Sequence, residues 1–168
     1  MADRKLAYAA EAALTVTNLH SLASSQTWLG GWESAVIDNT TTKYLDYIVS
    51  GLFKTAAANN QAGTIFVYVV PMISETVYPD VFDGTESAET VSLGGVRDAV
   101  CKMGAAIAVT NGASLSWPFC FSVANLFGGV CPPKFVLFVT GNATTTTTAQ
   151  LAADTNIITI KGVYETVA

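Results

Sequence analysis

The residue with the most catalytic potential in this chain is its histidine. His20 is the only histidine among 168 residues, so any Ser-His-Asp arrangement would have to include it. It lies in the polar stretch Asn-Leu-His-Ser-Leu, which favours a surface loop over a catalytic base. A single histidine also excludes a histidine-based metal site within one subunit. The sequence therefore predicts a protein that is not an enzyme and that uses no cofactor.

The acidic segment from Ser74 to Gly95 offers a second kind of chemistry. Its carboxylates could bind Ca²⁺, which prefers carboxylate and carbonyl oxygens, or could form the acid pair of a glycosidase. Their spacing matches no EF-hand, and nothing identifies an acid of raised pKa beside a nucleophile. We therefore expect a long ordered loop with turns, which is solvated and also limits self-association. The carboxylates concerned are those of Asp80, Asp83, Glu86 and Glu89.

Two pairs of aromatic residues form the third candidate site. Trp28 and Trp32 flank a Gly-Gly pair, which predicts a flexible hinge, while Tyr44 and Tyr47 begin a strand-like segment. These side chains could stack on a sugar, as in carbohydrate-binding sandwiches, or could anchor a protein interface. Packing in the core is the third alternative. The sequence leaves the three roles open.

The cysteines and the charge exclude further classes of function. Cys101, Cys120 and Cys131 are an odd number without Cys-x-x-Cys spacing, which predicts reduced core thiols rather than disulfides or a zinc site. Eight basic residues are spread along a chain of net charge −5. Binding to nucleic acid depends on Lys and Arg that neutralise phosphates, so this charge argues against it.

The composition points to a protein that contacts other chains. Hydrophobic residues make up 51% of the sequence and charged residues only 12%, where about a quarter is usual. No segment has the roughly 20 apolar residues of a membrane-spanning helix, and the N-terminus is not a convincing signal peptide. We therefore expect an apolar surface that is covered by an oligomer or by a lattice neighbour, in a protein made in the cytosol.

Alternating apolar residues and turn signals predict mostly strands. The loop 56–63 should join the first two strands as an antiparallel pair, and Asn111-Gly112 should form a two-residue hairpin between the next two. Ser122 is expected to cap a helical turn that ends at Gly128. The predicted strands cover residues 44–55, 64–73, 105–110, 115–121, 134–140 and 157–166.

Other segments are ambiguous. Residues 6–13 could be helical and 13–18 a strand, residues 96–107 have helical spacing, and the Thr-rich stretch 141–148 should be a mobile loop. No βαβ crossover is predicted. The fold class is therefore all-β: one antiparallel β-sandwich domain over residues 1–168, jelly-roll-like, with 1–30 as a candidate extended N-terminal arm.

Several phrases of the sequence resemble the small structural proteins of tailed bacteriophages, in particular capsid decoration or cement proteins. The resemblance runs over nearly the whole chain. Its paired tryptophans and its three cysteines depart from that pattern. The phrases are Met1–Tyr8, Glu33–Thr40, Tyr44–Gly51, Tyr78–Thr90, Ser122–Val130 and Val163–Ala168.

The resemblance implies a non-enzymatic virion protein with a jelly-roll-like fold. Such proteins are often trimeric, so it implies a homo-oligomer, with a trimer favoured, seated on the major capsid protein and stabilising the phage head against internal pressure. Assembly in the host cytoplasm follows from that role. Two alternatives stay open: a carbohydrate-binding module on a head fibre or tail, and a minor head-completion or tail protein.

Overall fold

Two antiparallel β-sheets pack face to face in this protein. The structure is a computed structural model that describes residues 3–57, 62–111, 113–143 and 149–167. Sheet I contains β1 (Arg4–Tyr8), β2 (Ala12–Ala13), β5 (Asp46–Lys54), β9 (Ser116–Ser122) and β11 (Ile157–Val167). Sheet II contains β3 (Gly30–Glu33), β4 (Ile37–Asp38), β6 (Gly63–Pro71), β7 (Ser87–Thr90), β8 (Lys102–Val109) and β10 (Lys134–Ala143). The described helices are α1 (Gly94–Val100) and α2 (Val123–Leu126).

The order of the strands is that of a jelly roll. Sheet I runs β1-β11-β5-β9 and sheet II runs β3-β10-β6-β8, with the short strand β7 added outside β3. All pairings among the described strands are antiparallel. Eight strands divided between two sheets in this order make the two Greek keys of the jelly roll. The predicted all-β sandwich of jelly-roll type is confirmed.

Strand β10 explains why sheet II is buried on both faces. Residues 135–139 read Phe-Val-Leu-Phe-Val, and each side chain is 0% exposed. Because successive side chains of a strand point to opposite faces, Phe135, Leu137 and Val139 pack between the sheets. Val136 and Phe138 point the other way and pack beneath a covering layer, which residues 78–101 form around α1.

The predicted positions of the strands agree with the structure, and so does the cap at Ser122. The hydroxyl of Ser122 accepts the backbone N–H of Asn125 at 3.2 Å, which starts α2. Residues 96–104 contribute to both α1 and β8, since the helix ends at Val100 and the strand begins at Lys102. Residues 144–148 of the Thr-rich stretch lie outside the described part of the chain, while Gly141–Ala143 still belong to β10.

Two predicted strand pairings are wrong. Strand β5 pairs with β9 and β11 in sheet I, whereas β6 pairs with β8 and β10 in sheet II. The expected hairpin at Asn111 also fails, since β8 and β9 lie in different sheets; Gly112 itself lies outside the described residues. Both errors have one cause. Each of these strands has an apolar face that packs in the central core, and crossing between the sheets lets these faces meet there.

Three local predictions are also corrected. The Gly30-Gly31 pair is part of β3 and not a hinge: a Cβ at Gly31 would lie 2.4 Å from the carbonyl oxygen of Val139, so the close approach of β10 requires glycine. Residues 6–13 contribute to β1 and β2, which pair with β11, and not to a helix. The acidic segment 74–95 contains the strand β7, which pairs with β3.

Candidate interaction surface

The connections 34–45, 72–86 and 127–133 lie at one end of the sandwich. Phe135, near the start of β10, pairs with Pro71 at the end of β6 and with Ile37 in β4. The ring of Tyr47, near the start of β5, lies 5.7 Å from the ring of Phe135. We call this end, with the exposed side chains of these three connections, the apolar end. Its exposed hydrophobic side chains are Val36 (40%), Leu45 (49%), Ile73 (71%), Val77 (48%) and Val130 (71%).

The outer part of the β1–β11 ribbon extends in the same direction. Leu6, Tyr8 and Val167 are each more than half exposed. Tyr8 lies level with the pairing of β11 with Asp46, the first residue of β5, and Leu6 and Val167 lie on the part of β1 and β11 beyond it. Eight of the twelve large exposed hydrophobic side chains among the described residues thus lie at the apolar end or on this ribbon. Such a concentration is typical of a contact surface.

A buried asparagine fixes the shape of the connection 39–45. Asn39 is 7% exposed, and its backbone N–H donates to the carbonyl oxygen of Pro133 at 2.8 Å. Its side chain closes a ring with Tyr44: Nδ2 donates to the Tyr44 carbonyl at 2.9 Å, and Oδ1 accepts the Tyr44 N–H at 2.8 Å. Leu45 follows directly, so this exposed leucine is held on a rigid turn. The predicted strand 44–55 included it, but β5 begins one residue later, at Asp46.

An ion pair at the same end joins the connection 34–45 to the first residue of β10. The Nζ atom of Lys134 lies 3.3 Å from Oδ2 of Asp38, and Oδ1 of Asp38 accepts the backbone N–H of Thr40 at 2.8 Å. The hydrogen bonds from Thr40 are the main reason that the pKa of Asp38 lies below its usual range. The pair is open to water, so it contributes little to stability but keeps one positive and one negative group at the apolar end.

Two grooves open at the apolar end. The larger has a volume of about 660 Å³, and Tyr44, Tyr164, Lys43 and Glu165 contribute to its walls. The rings of Tyr44 and Tyr164 lie 6.0 Å apart, tilted by 35°. The smaller groove, of about 220 Å³, lies beside Ile73. The larger groove thus combines aromatic faces with charged and hydroxyl groups, which is a suitable lining for a polar ligand with an apolar face.

The four aromatic residues that the sequence singled out do not share one surface. Trp32 is 0% exposed and Tyr47 is 5% exposed, and both belong to the core between the sheets. Tyr44 is half-buried at the apolar end, where its ring lies 5.4 Å from that of Tyr47. Trp28 is half-buried elsewhere, 5.8 Å from the ring of Phe66. Of the four, Tyr44 lines the larger groove.

The acidic segment is tied to the fold through its carboxylates. Asp80 accepts the backbone N–H of Ser92 at 2.8 Å, and Glu86 accepts the indole N–H of Trp32 at 2.6 Å. Glu86 also accepts the backbone N–H of Asn18 at 2.7 Å. Within the described ranges, no group of three or more His, Cys, Asp or Glu side chains is placed to hold a metal ion. The segment is therefore ordered as expected, but it is a layer tied to sheet II rather than a solvated loop.

His20 contacts an amide rather than a catalytic partner. Its Nδ1 atom lies 3.1 Å from Nδ2 of Asn156, and the ring is half-buried. In the part of the chain that the structure describes, no carboxylate or hydroxyl forms a hydrogen bond with this ring. The prediction that His20 lies in an exposed loop is thus only partly right, because the ring contacts Asn156 and is half-buried.

Sequence reasoning missed the buried carboxylate of Glu33. This side chain is 0% exposed, and its Oε1 accepts the backbone N–H of Gly84 at 2.7 Å and that of Asp83 at 3.2 Å. Burial raises its pKa to about 7, although these hydrogen bonds act in the opposite direction. The sequence did contain one sign that Glu33 is buried: it is the only charged residue in the stretch Gly30–Ile37.

In the described ranges, none of the helices has the length and apolar character needed to cross a membrane. No protein-family model and no curated protein sequence matches this chain.

Proposed function

We propose that this protein is a non-enzymatic structural protein of a tailed-phage virion, a decoration or cement protein that binds the assembled head. The observation that carries the proposal is the concentration of exposed apolar side chains at one end of a jelly roll. The resemblance of the sequence to phage structural proteins supports the same role. In this proposal the partner is the major capsid protein, the protein acts as a homo-oligomer, most simply a trimer, and assembly takes place in the host cytoplasm.

The apolar end suits binding to a lattice for a physical reason. Burying apolar surface stabilises a contact by about 25 cal/mol per Å², so Ile73 and Val130, both 71% exposed, would contribute most when covered. A single small contact of this kind is weak. Many copies on a symmetric shell multiply weak contacts through avidity, and a protein that binds only the assembled lattice stabilises that lattice by mass action.

Particles assembled with and without this protein test the proposal. We expect particles without it to break at a lower temperature or internal pressure, and we expect purified protein added back to restore the breakage curve. Copies per particle, counted on a quantitative gel, should be in the hundreds for a decoration protein. A dozen copies or fewer would instead indicate a head-completion or tail protein, and an unchanged breakage curve would reject the stabilising role.

The larger groove supports a second candidate, a carbohydrate-binding module on a head fibre or tail. The specific observation is that Tyr44 and Tyr164 present tilted rings beside Lys43 and Glu165, because sugars bind to aromatic faces flanked by polar groups. A glycan array tests it. Tyr164→Ala should abolish the signal, whereas Tyr8→Ala, which removes an exposed tyrosine outside the groove, should retain it. An array without any signal would reject this candidate.

A further inference from the structure

Glu33 is a buried carboxylate that contacts backbone N–H groups of a neighbouring segment, unlike a surface carboxylate in water. It ends β3 and pairs with Phe138 of β10, so its side chain lies on the side of sheet II that the covering layer packs against. There the carboxylate contacts the backbone of the covering layer, through the N–H groups of Gly84 and Asp83. Both of these hydrogen bonds can be made by one oxygen, Oε1, so a neutral carboxyl group or an amide could accept them too.

The charged groups that act on Glu33 are all unfavourable to its ionised form. Asp83 faces it from the covering layer and Glu89 from β7, and both are acidic. Tyr78, also in the covering layer, is the third titratable neighbour, and its own pKa is raised mainly by burial and also by the charge of Glu33. No cation is among the groups acting on Glu33, so ionisation leaves a buried negative charge that only backbone N–H groups stabilise.

Gly84 connects this carboxylate to the apolar end. Its N–H donates to Glu33, and its carbonyl oxygen accepts the backbone N–H of Val36 at 3.0 Å. Gly84 has a φ of +82°, and a Cβ there would lie 2.7 Å from the hydroxyl of Tyr78, so only glycine fits this position. One residue is therefore held from both sides, with its N–H bound to a buried acid and its carbonyl oxygen bound to a residue of the apolar end.

We propose that Glu33 is a protonation-dependent latch, which holds residues 78–86 on sheet II when neutral and releases them when it loses its proton to solvent. In the neutral form, Oε1 accepts the two N–H groups without the cost of a buried charge. In the ionised form, local opening lets water reach the carboxylate, which favours the released segment. Release removes the acceptor of the Val36 N–H and so alters the apolar end. That last consequence rests on the proposed function, whereas the latch itself does not.

Hydrogen exchange of the backbone amides of Gly84 and Asp83 in the protein alone tests the latch. Rates are divided by the intrinsic exchange rate at each pH, which leaves the protection due to structure. From about pH 5.5 to about pH 8.5, we expect protection at both amides to fall at least tenfold in the wild type. Glu33→Gln should keep its protection constant. Glu75→Gln, which changes an exposed acid outside the contact, should behave like the wild type.

Protection that is constant in the wild type, or that falls equally in Glu33→Gln, would overturn the proposal. If Glu33→Gln does not fold, the wild type still decides the question. The carboxyl carbon of Glu33, followed by NMR, should titrate near pH 7 together with the amide of Gly84. Titration in the ordinary range of glutamate, around pH 4 to 5, would reject the latch. Because no capsid is present, these outcomes are independent of the docking role.

Discussion

The indole N–H of Trp32 donates a hydrogen bond of 2.6 Å to the carboxylate of Glu86. The tryptophan is fully buried in β3, and the glutamate precedes β7 in the acidic segment. Buried indoles usually find an acceptor, and here the acidic segment supplies it. The same carboxylate accepts the backbone N–H of Asn18, so it joins the N-terminal region, the core and the covering layer at one point.

Glu86→Ala should therefore lower the free energy of unfolding by about 2 kcal/mol, since it leaves a buried N–H without an acceptor. Urea denaturation monitored by tryptophan fluorescence measures this change. Glu75→Ala, which removes an exposed acid from the same segment, is the control and should change stability by less than about 0.5 kcal/mol. Equal losses in the two variants would show that the hydrogen bond to Trp32 contributes nothing.

Gly31→Ala should destabilise the protein by about 2 kcal/mol or more. The added Cβ would lie 2.4 Å from the carbonyl oxygen of Val139 and 2.6 Å from the ring of Phe138, so β3 and β10 would have to separate. The control is Gly95→Ala in α1, where nothing lies within 4 Å of the new Cβ and alanine favours a helix. The midpoint of thermal unfolding should drop only in the first variant. A stable Gly31→Ala would restore the interpretation of this pair as a hinge.

The fold class could be predicted from the sequence because it follows from local patterns. Strand β5 alternates between buried Tyr47, Val49 and Phe53 and less buried neighbours, and strand β10 is apolar at every position from Phe135 to Val139. Such patterns can be recognised from the local sequence, because they depend only on the two-residue period of a strand and on which of its faces are buried. The cap at Ser122 is equally local, since it depends on a hydroxyl three residues before the N–H that it accepts.

Strand partners could not be predicted in the same way. Turn residues such as Asn111-Gly112 favour a hairpin, but in this jelly roll the chain crosses from sheet II to sheet I between β8 and β9. One partner of β5 is β11, more than a hundred residues later, and no short-range signal specifies that pairing. The apolar end could not be predicted from the sequence for the same reason, because Val36, Ile73 and Val130 belong to different connections and lie at one end only in the folded chain.

The pH dependence of stability provides a prediction for Glu33. Its folded-state pKa of about 7 lies above the ordinary value of 4.5, so its contribution to stability is complete below about pH 4.5 and is lost as pH rises through 7. Between about pH 5 and pH 8.5, the wild type should therefore lose up to about 3 kcal/mol relative to Glu33→Gln. Urea denaturation of both proteins at the two pH values measures the difference. An equal change of the free energy of unfolding with pH in the two proteins would show that Glu33 is not the residue responsible.

The three free cysteines should differ sharply in reactivity. Cys120 is exposed, because its neighbours Phe119 and Phe121 take the inner face of β9, so the prediction of a core thiol is wrong for this residue. Burial raises the pKa of Cys101 and of Cys131 to about 12. Since the thiolate is the reactive form, both should react at least about a hundredfold more slowly than Cys120 near pH 8.

Labelling of the native protein with a thiol-reactive dye measures these rates. One equivalent should react fast, and Cys120→Ser should remove that fast phase. Denaturant should then expose the other two thiols. Fast reaction of two or three thiols in the native protein would show that the surroundings of Cys101 or Cys131 are more open than the structure describes.

The central claim is that the apolar end binds the phage head, and binding of variants to particles that lack this protein tests it most directly. Ile73→Asp and Val130→Asp each place a charge on the apolar end, so the copies bound per particle should fall at least tenfold. Leu93→Asp changes an equally exposed residue in the covering layer, just before α1, and should bind like the wild type. Equal binding by all three variants, or no binding by the wild type, would contradict the account.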